Sequence, residues 1–288
     1  MAITIEHPEW LAKFCSQTLN TNCPNTDKTI SLGSLTSIEM PESNNMTVSD
    51  GASESHRHQF CFDSELGRVR AKYSETMIET IMLQREALWL SRLNSQGLST
   101  QRCLDFYRDG SRAALLTNYV EGQSLSELIK HNQTSDITVV ANVIDQLLSE
   151  LEELHRCGYV HGDIKPSNIL LSEQNIVSFI DFSNARRVGD SWQERGIEQY
   201  SPSYTYPNSA SSQLSRGEAH PVCDSYASLI TVALLIGVPA DELPFGLDSS
   251  QVIDFFLGLP QHETWPSLPK LTQESVQRHI DSVIKDLI

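Results

Sequence analysis

Residues 161–168 read His-Gly-Asp-Ile-Lys-Pro-Ser-Asn, and this polar stretch decides how the rest of the chain is interpreted. Two short apolar runs follow it, at residues 169–171 and 177–180, and together they predict a β-hairpin. Such a hairpin would return Asp181 to the side of Asn168. The sequence therefore predicts one compact site built from the loop and from the end of the next strand.

Four side chains of this region have the chemistry that phosphoryl transfer requires. Asp181 and Asn168 offer oxygen atoms, which suit a hard, octahedral Mg²⁺ ion. Asp163 could accept the proton of an attacking hydroxyl group and orient that group. Lys165 could neutralise negative charge on the phosphoryl group during transfer. The pattern indicates Asp163 and Lys165 as catalytic residues and the other two as metal ligands.

The run H-G-D-I-K-P-S-N-I-L-L, followed by I-D-F-S, resembles the catalytic and metal-binding loops of protein kinases, which read H-R-D-x-K-x-x-N and D-F-G. The resemblance implies an α+β, bilobal protein-kinase-like fold, with a small β-rich N-lobe that contains one helix and a mainly helical C-lobe. The implied activity is ATP- and Mg²⁺-dependent phosphoryl transfer to serine and threonine hydroxyls of protein substrates. It further implies Asp163 as the catalytic aspartate.

An upstream segment resembles the nucleotide-binding strand of the same family. Val69-Arg70-Ala71-Lys72 is similar to the strand whose lysine holds the α- and β-phosphates of ATP. A helix is predicted at residues 74–94, and its Glu86 would pair with Lys72. Glu79 in the same helix is the alternative partner.

Two further segments are assigned through the resemblance. Residues 116–122 resemble the hinge between the lobes, where the backbone of Asn118 and Val120 would bind adenine. The best match to the Gly-rich loop over the phosphates is residues 51–55, in which Gly51 is the one glycine left of the three expected. This segment is interpreted equally well as an ordinary Ser-rich loop.

Composition along the chain predicts three parts. Residues 1–44 would be a partly disordered N-terminal extension with a short helix at residues 8–14, because Ser, Thr and Asn dominate much of it. Residues 45–120 would form the N-lobe, and residues 121–288 a shortened C-lobe. The apolar run at residues 227–238 is too short to cross a bilayer, so a buried central helix is expected there.

Charge and cysteine content restrict the partners. The formal net charge of −16 argues against nucleic acids and against anionic membrane surfaces. The six cysteines contain no C-x-x-C pair, which favours reduced thiols in the cytoplasm. No signal sequence is visible, although the polar N-terminus would also suit a secreted bacterial effector. A monomer acting on a protein substrate is expected.

Departures from the family pattern keep alternatives open. Gly162 stands where many protein kinases have arginine, which predicts activity that does not depend on activation-loop phosphorylation. Ser183 replaces the last residue of D-F-G, and Ser201, Ser203 and Thr205 are either autophosphorylation sites or ordinary polar residues. The alternatives are a small-molecule or sugar kinase of the same fold and a nucleotide-binding pseudokinase. Lys165 favours the protein kinase, because the small-molecule kinases generally lack it.

Overall fold

The computed structural model describes two compact units. The first comprises Met1–Asn94 and Gln101–Tyr119, and the second comprises Ser95–Thr100 and Val120–Ile288. The predicted α+β class, with a β-rich first part and a mainly helical second part, is confirmed. The predicted domain limits at residues 44 and 120 stay predictions. The described residues are 10–11, 13–15, 59–64, 67–98, 100–131, 136–191, 201–206 and 218–288.

A four-stranded antiparallel sheet forms the centre of the first unit, in the order β1-β2-β4-β3. A tight turn at residues 110–111 joins β3 to β4, which pair as an antiparallel hairpin. Consecutive side chains of a strand point to opposite faces, and the two faces of β2 therefore differ in their partners. The strands are β1 Gln59–Ser64, β2 Gly67–Ser74, β3 Cys103–Asp109 and β4 Arg112–Asn118.

Helix α1, Met77–Ser95, is the helix that the sequence predicts for this unit. Its first turn is fixed by Thr76, whose hydroxyl accepts from Glu79 N at 3.3 Å and donates to Glu79 Oε2 at 2.8 Å. The helix begins later than predicted, because Ser74 still belongs to β2. Its buried side chains are Thr80, Met82, Leu83, Glu86, Ala87, Trp89, Leu90 and Leu93.

A short N-terminal helical segment, residues 10–11 and 13–15, packs on one face of the sheet. Leu11 is fully buried, and the ring of Trp10 stacks on Tyr107 with centroids 5.5 Å apart. Phe14 meets the same tyrosine ring at 5.2 Å. The sequence predicts the helix but not its burial in the core of the first unit. The buried sheet residues of this cluster are Val69, Ala71, Tyr73, Ala114 and Leu116.

Leu11→Ala tests whether this segment is part of the core. The substitution removes a fully buried side chain, so the free energy of unfolding should fall by roughly 2 kcal/mol, at the low end for Leu→Ala changes. Lys13→Ala is the matched control, since Lys13 is exposed in the same segment, and it should change the value by less than about 0.5 kcal/mol. Urea unfolding followed by circular dichroism measures both. Equal effects of the two variants would contradict the packing.

Helices form most of the second unit within the part of the chain that is described. The N-cap of α3 is Asp136, whose carboxylate accepts from Thr138 N at 2.8 Å. One stripe of α3, from Val140 to Leu154, is buried as the apolar period predicts. The helices are α2 Leu125–Lys130, α3 Ile137–Arg156, α4 Pro221–Leu235, α5 Ser249–Gly258 and α6 Lys270–Leu287.

Helix α4 is the buried centre of this unit. Every residue from Val222 to Ala233 is buried, and α3 and α6 both pack against the helix. This confirms the expectation of a buried central helix in the apolar run at residues 227–238. No helix among the described residues is long and apolar enough to span a membrane.

Two small antiparallel sheets position the loops of the second unit. The order of the first is β5-β7-β8, and the second pairs β6 with β9. Gly122, just before β5, has a φ of 148°, and a Cβ atom there would lie 2.8 Å from Leu171 O, so this close approach requires glycine. The strands are β5 Gln123–Ser124, β6 Tyr159–Val160, β7 Ile169–Leu171, β8 Val177–Phe179 and β9 Arg186–Arg187.

Candidate active site

Residues 161–168 form the loop between β6 and β7. The loop ends in a 3₁₀ turn, Pro166–Asn168, which the bond from Asn168 N to Lys165 O closes at 2.9 Å. Proline suits the first position of such a turn, because no hydrogen bond needs its missing N–H group. His161 and Asn168, at the two ends of the loop, are buried. The loop therefore has a fixed backbone from which its other side chains project.

Asp224, in the first turn of α4, holds the start of this loop. Its Oδ2 accepts from His161 N at 2.7 Å, and its Oδ1 accepts from Gly162 N at 2.9 Å. Gly162 has a φ of 79°, a conformation that glycine adopts without steric cost. Burial alone would raise the pKa of Asp224, but hydrogen bonds and His155, with Nε2 at 3.2 Å from Oδ2, lower this pKa below its ordinary value of 3.8. The carboxylate is therefore ionised at neutral pH.

Asp163 is the centre of a cluster of hydrogen bonds. Lys165 Nζ donates to its Oδ2 at 2.7 Å, and Asn168 Nδ2 donates to its carbonyl oxygen at 2.9 Å and to Oδ2 at 3.1 Å. Ser201 Oγ donates to its Oδ1 at 2.9 Å and accepts from Lys165 Nζ at 2.9 Å. The structure thus brings three of the predicted site residues together and adds Ser201 to them.

The β7–β8 hairpin brings Asp181 back beside Asn168, as the sequence predicts. The two strands pair antiparallel, and Ile180 N donates to Asn168 O at 3.0 Å. Asp181 adopts a left-handed conformation, with φ 65° and ψ 69°, and the 3₁₀ turn Phe182–Asn184 follows it. The chain therefore changes direction two residues after the end of β8, at the residue that the sequence assigns to a metal ion.

A buried aromatic contact joins the two parts of the site. The rings of His161 and Phe182 have centroids 4.6 Å apart, and His161 Nε2 lies 3.1 Å from Ile180 O. Because Asp224 binds the backbone of the same histidine, one chain of contacts runs from α4 through the loop to the strand end that carries Asp181.

Asn168 and Asp181 fit a magnesium ion by their chemistry. Both amide N–H contacts of Asn168 go to Asp163, which leaves Oδ1 of the amide as the acceptor that can face a cation. Magnesium commonly takes one or two side chains and completes its shell with phosphate oxygens and water. Within the described ranges, no group of three or more His, Cys, Asp or Glu side chains could hold a metal ion. The oxygen atoms of Asn168 and Asp181 make this pair the candidate magnesium site.

The first unit contains the ion pair that the sequence suggests for nucleotide binding. Lys72 Nζ donates to Glu86 Oε1 at 2.7 Å, and the Glu86 side chain is only 2% exposed. A carboxylate this deeply buried requires a partner of opposite charge. Glu79, the alternative partner, hydrogen-bonds Thr76 instead. The geometry thus selects Glu86.

The sequence assigns three more residues to nucleotide binding: Asn118, Val120 and Gly51. Asn118 N donates to Arg102 O at 3.1 Å, so this N–H is already used, and Asn118 O accepts from Gln101 Nε2 at 3.3 Å. A carbonyl oxygen has a second lone pair, which leaves Asn118 O able to accept one more bond. Val120 is assigned to the second unit. Gly51 lies outside the described residues.

The comparison with known families agrees with this geometry. The family model described as "Protein kinase domain" matches residues 68–283. This chain belongs to the protein kinase family. The matched region of the kinase domain includes Lys72, Glu86, the loop at residues 161–168, Asp181 and Asp224. The predicted protein-kinase-like fold is thereby confirmed.

Three curated proteins with similar sequences are named as serine/threonine-protein kinases. The probable serine/threonine-protein kinase PknB of Bifidobacterium longum is 29% identical over 237 residues, which are 73% of this chain and 32% of that protein. The serine/threonine-protein kinase PknL of Mycobacterium tuberculosis is 31% identical over 172 residues, 59% of this chain and 41% of that protein. SSK22, a serine/threonine-protein kinase of Saccharomyces cerevisiae, is 35% identical over 107 residues, which are 37% of this chain and 8% of that protein. The kinase domain spans less than half the length of each of these relatives.

Ser201 is the site residue of the kinase domain that the sequence reasoning missed. The sequence predicts for Ser201 either an autophosphorylation site or an ordinary polar residue, because it lies in a long polar segment without a periodic pattern. Its hydroxyl in fact bridges Asp163 and Lys165. The available signal was that residues 199–207 resemble the end of an activation segment.

Ser201→Ala tests the importance of this bridge. Loss of a hydroxyl that bonds both side chains should lower kcat about ten-fold, which is the usual net value of one such hydrogen bond. Ser201→Thr keeps the hydroxyl and should stay within about three-fold of the wild type. Ser203→Ala, in the same short segment, is the matched control and should leave kcat unchanged. The bridge is unimportant for the reaction if Ser201→Ala behaves like Ser203→Ala in a steady-state kinase assay.

Proposed function

We propose that this kinase domain transfers the γ-phosphoryl group of ATP, with Mg²⁺, to serine and threonine hydroxyls of proteins. The observation that carries the proposal is the arrangement around Asp163. One of its oxygens accepts from an alcohol, Ser201, while the other accepts from the ammonium group of Lys165. A hydroxyl of an acceptor protein would need the same two neighbours, one to accept its proton and one to offset charge.

Each predicted residue then has a defined task. Asp163 orients the acceptor hydroxyl and accepts its proton. Lys165 stabilises the charge on the transferred group, because it is a cation next to the reacting oxygen. Magnesium, bound by Asn168 and Asp181, would neutralise charge on the phosphates. Lys72, held by Glu86, would bind phosphate oxygens of the nucleotide.

Protein is the proposed acceptor class for two reasons. Lys165 is present at the position where small-molecule kinases of this fold generally lack a lysine. The relatives described above carry names of serine/threonine-protein kinases. A pseudokinase is less well supported, because Lys72, Asp163, Asn168 and Asp181 are all retained.

Regulation is proposed to differ from that of kinases with arginine before the catalytic aspartate. Gly162 has no side chain that could bind a phosphate on the activation segment. In this domain Asp224 and the Ser201 contact already hold the loop. We therefore expect activity without prior phosphorylation. The predicted monomeric state and cytoplasmic location stay predictions.

Asp163→Ala tests the proposed function. With Mg²⁺ and γ-labelled ATP, and with casein or another general protein acceptor, the variant should transfer phosphate roughly 10²- to 10⁴-fold more slowly, which is the usual contribution of a general base. Its affinity for ATP should be kept, because Asp163 faces the acceptor. Asp241→Ala, which removes an exposed aspartate of the same unit, is the control and should transfer at the wild-type rate.

Mass spectrometry of the products identifies the acceptor residues. Phosphoserine or phosphothreonine that disappears in Asp163→Ala would support the proposal. Transfer that Asp163→Ala does not diminish would refute the assignment of the catalytic residue. Label on small hydroxylated molecules but not on protein would favour the alternative of a small-molecule kinase.

A further inference from the structure

Arg70 lies on the same face of the first sheet as Lys72. The two residues alternate along β2 with Val69, Ala71 and Tyr73, which are buried against the N-terminal helical segment. Side chains two residues apart on a strand point to the same side and are about 7 Å apart. A ligand that reaches Lys72 on this face is therefore within reach of the long arginine side chain.

The guanidinium group of Arg70 is held by a residue of the neighbouring strand. Gln59 in β1 is the register partner of Lys72, and Arg70 Nη2 donates to Gln59 Oε1 at 2.5 Å. The guanidinium group thus contacts the residue that lies opposite the lysine in the neighbouring strand. The hydrogen bond to Gln59 holds the guanidinium group in this position.

Arg70 and Lys72 differ in how their charges are balanced. Lys72 forms an ion pair with Glu86, whereas Gln59, which binds the guanidinium group, is a neutral amide. The positive charge of Arg70 also acts on its neighbour Cys61. Burial raises the pKa of the Cys61 thiol, and the positive charges of Arg70 and Arg68 partly offset this increase. The face therefore has positive charge beyond that of the lysine.

The sequence before β1 gives a reason why this charge would be used. The best match to a Gly-rich loop keeps only Gly51 and contains an acidic residue, Glu54. A loop with fewer glycines offers fewer backbone N–H groups that can approach phosphates closely. A cation on the sheet can supply part of the lost attraction, because guanidinium groups bind phosphate oxygens through strong charge-assisted hydrogen bonds.

We propose that Arg70 is a second phosphate-binding residue for the nucleotide, which it contacts next to Lys72 while Gln59 holds its guanidinium group. The proposal rests on the proposed function, since it concerns the ATP of that reaction.

The test measures equilibrium binding of ATP and of adenosine to the full chain by calorimetry, with Mg²⁺ present. Arg70→Ala should weaken ATP binding roughly ten- to a hundred-fold, the value of one hydrogen bond between charged groups. Adenosine, which lacks phosphate, should bind with unchanged affinity. Arg70→Lys keeps the charge and should recover most of the ATP affinity.

Arg108→Ala is the matched control for loss of an arginine from this sheet. Arg108 also donates to a glutamine side chain, that of Gln84, but it is exposed on β3. This variant should bind ATP as the wild type does. Melting temperatures measured for all variants establish that they fold, and Arg70→Gln, which keeps most of the side-chain length, replaces Arg70→Ala if the latter unfolds.

The possible outcomes separate this inference from the proposed function. ATP affinity that is equal in Arg70→Ala and the wild type, while Lys72→Met weakens binding, would overturn the inference alone. Equal weakening of ATP and adenosine would also overturn it, because the arginine would then act on the base. If the wild type bound no ATP at millimolar concentration, both the inference and the proposed function would fail.

Discussion

The buried carboxylate of Asp224 is the constraint on which the candidate site depends. It accepts hydrogen bonds from the backbone of His161 and Gly162 and lies next to His155, so one negative charge joins α3, α4 and the loop. A buried charge is tolerated only where such partners surround it. Because these bonds fix the first two residues of the loop, Asp163 reaches its own partners from a defined backbone position.

In the first unit, strand β2 positions the side chains of the candidate site. Its one face presents Lys72 and Arg70, and its other face is covered by the N-terminal helical segment around Leu11. The packing on the covered face therefore restricts the strand that positions the lysine, while the buried Glu86 restricts the lysine side chain itself. The alternation of side chains along one strand thus links the stability of this unit to its proposed nucleotide binding.

The sequence predicted those features that depend on local spacing. Short apolar runs on either side of a turn were enough to place Asp181 beside Asn168, because an antiparallel hairpin fixes its own register. Spacing alone does not show whether Glu79 or Glu86 pairs with Lys72, since the pairing depends on which side of α1 faces the sheet. Contacts between segments that are distant in sequence could not be predicted in this way. Ser201 contacts Asp163 from a polar stretch without periodicity. The N-terminal helical segment packs against β2, although more than forty residues separate the two in sequence.

We propose that Asn168 and Asp181 bind Mg²⁺ and that Lys72 binds phosphate oxygens of ATP, for a transfer that Asp163 assists. A crystal structure of the chain with Mg²⁺ and a non-hydrolysable ATP analogue tests it most directly. We expect a metal ion bound by oxygen atoms of Asn168 and Asp181 and a phosphate oxygen within hydrogen-bond distance of Lys72 Nζ. A nucleotide bound without contact to these residues, or a metal ion held by other side chains, would contradict it.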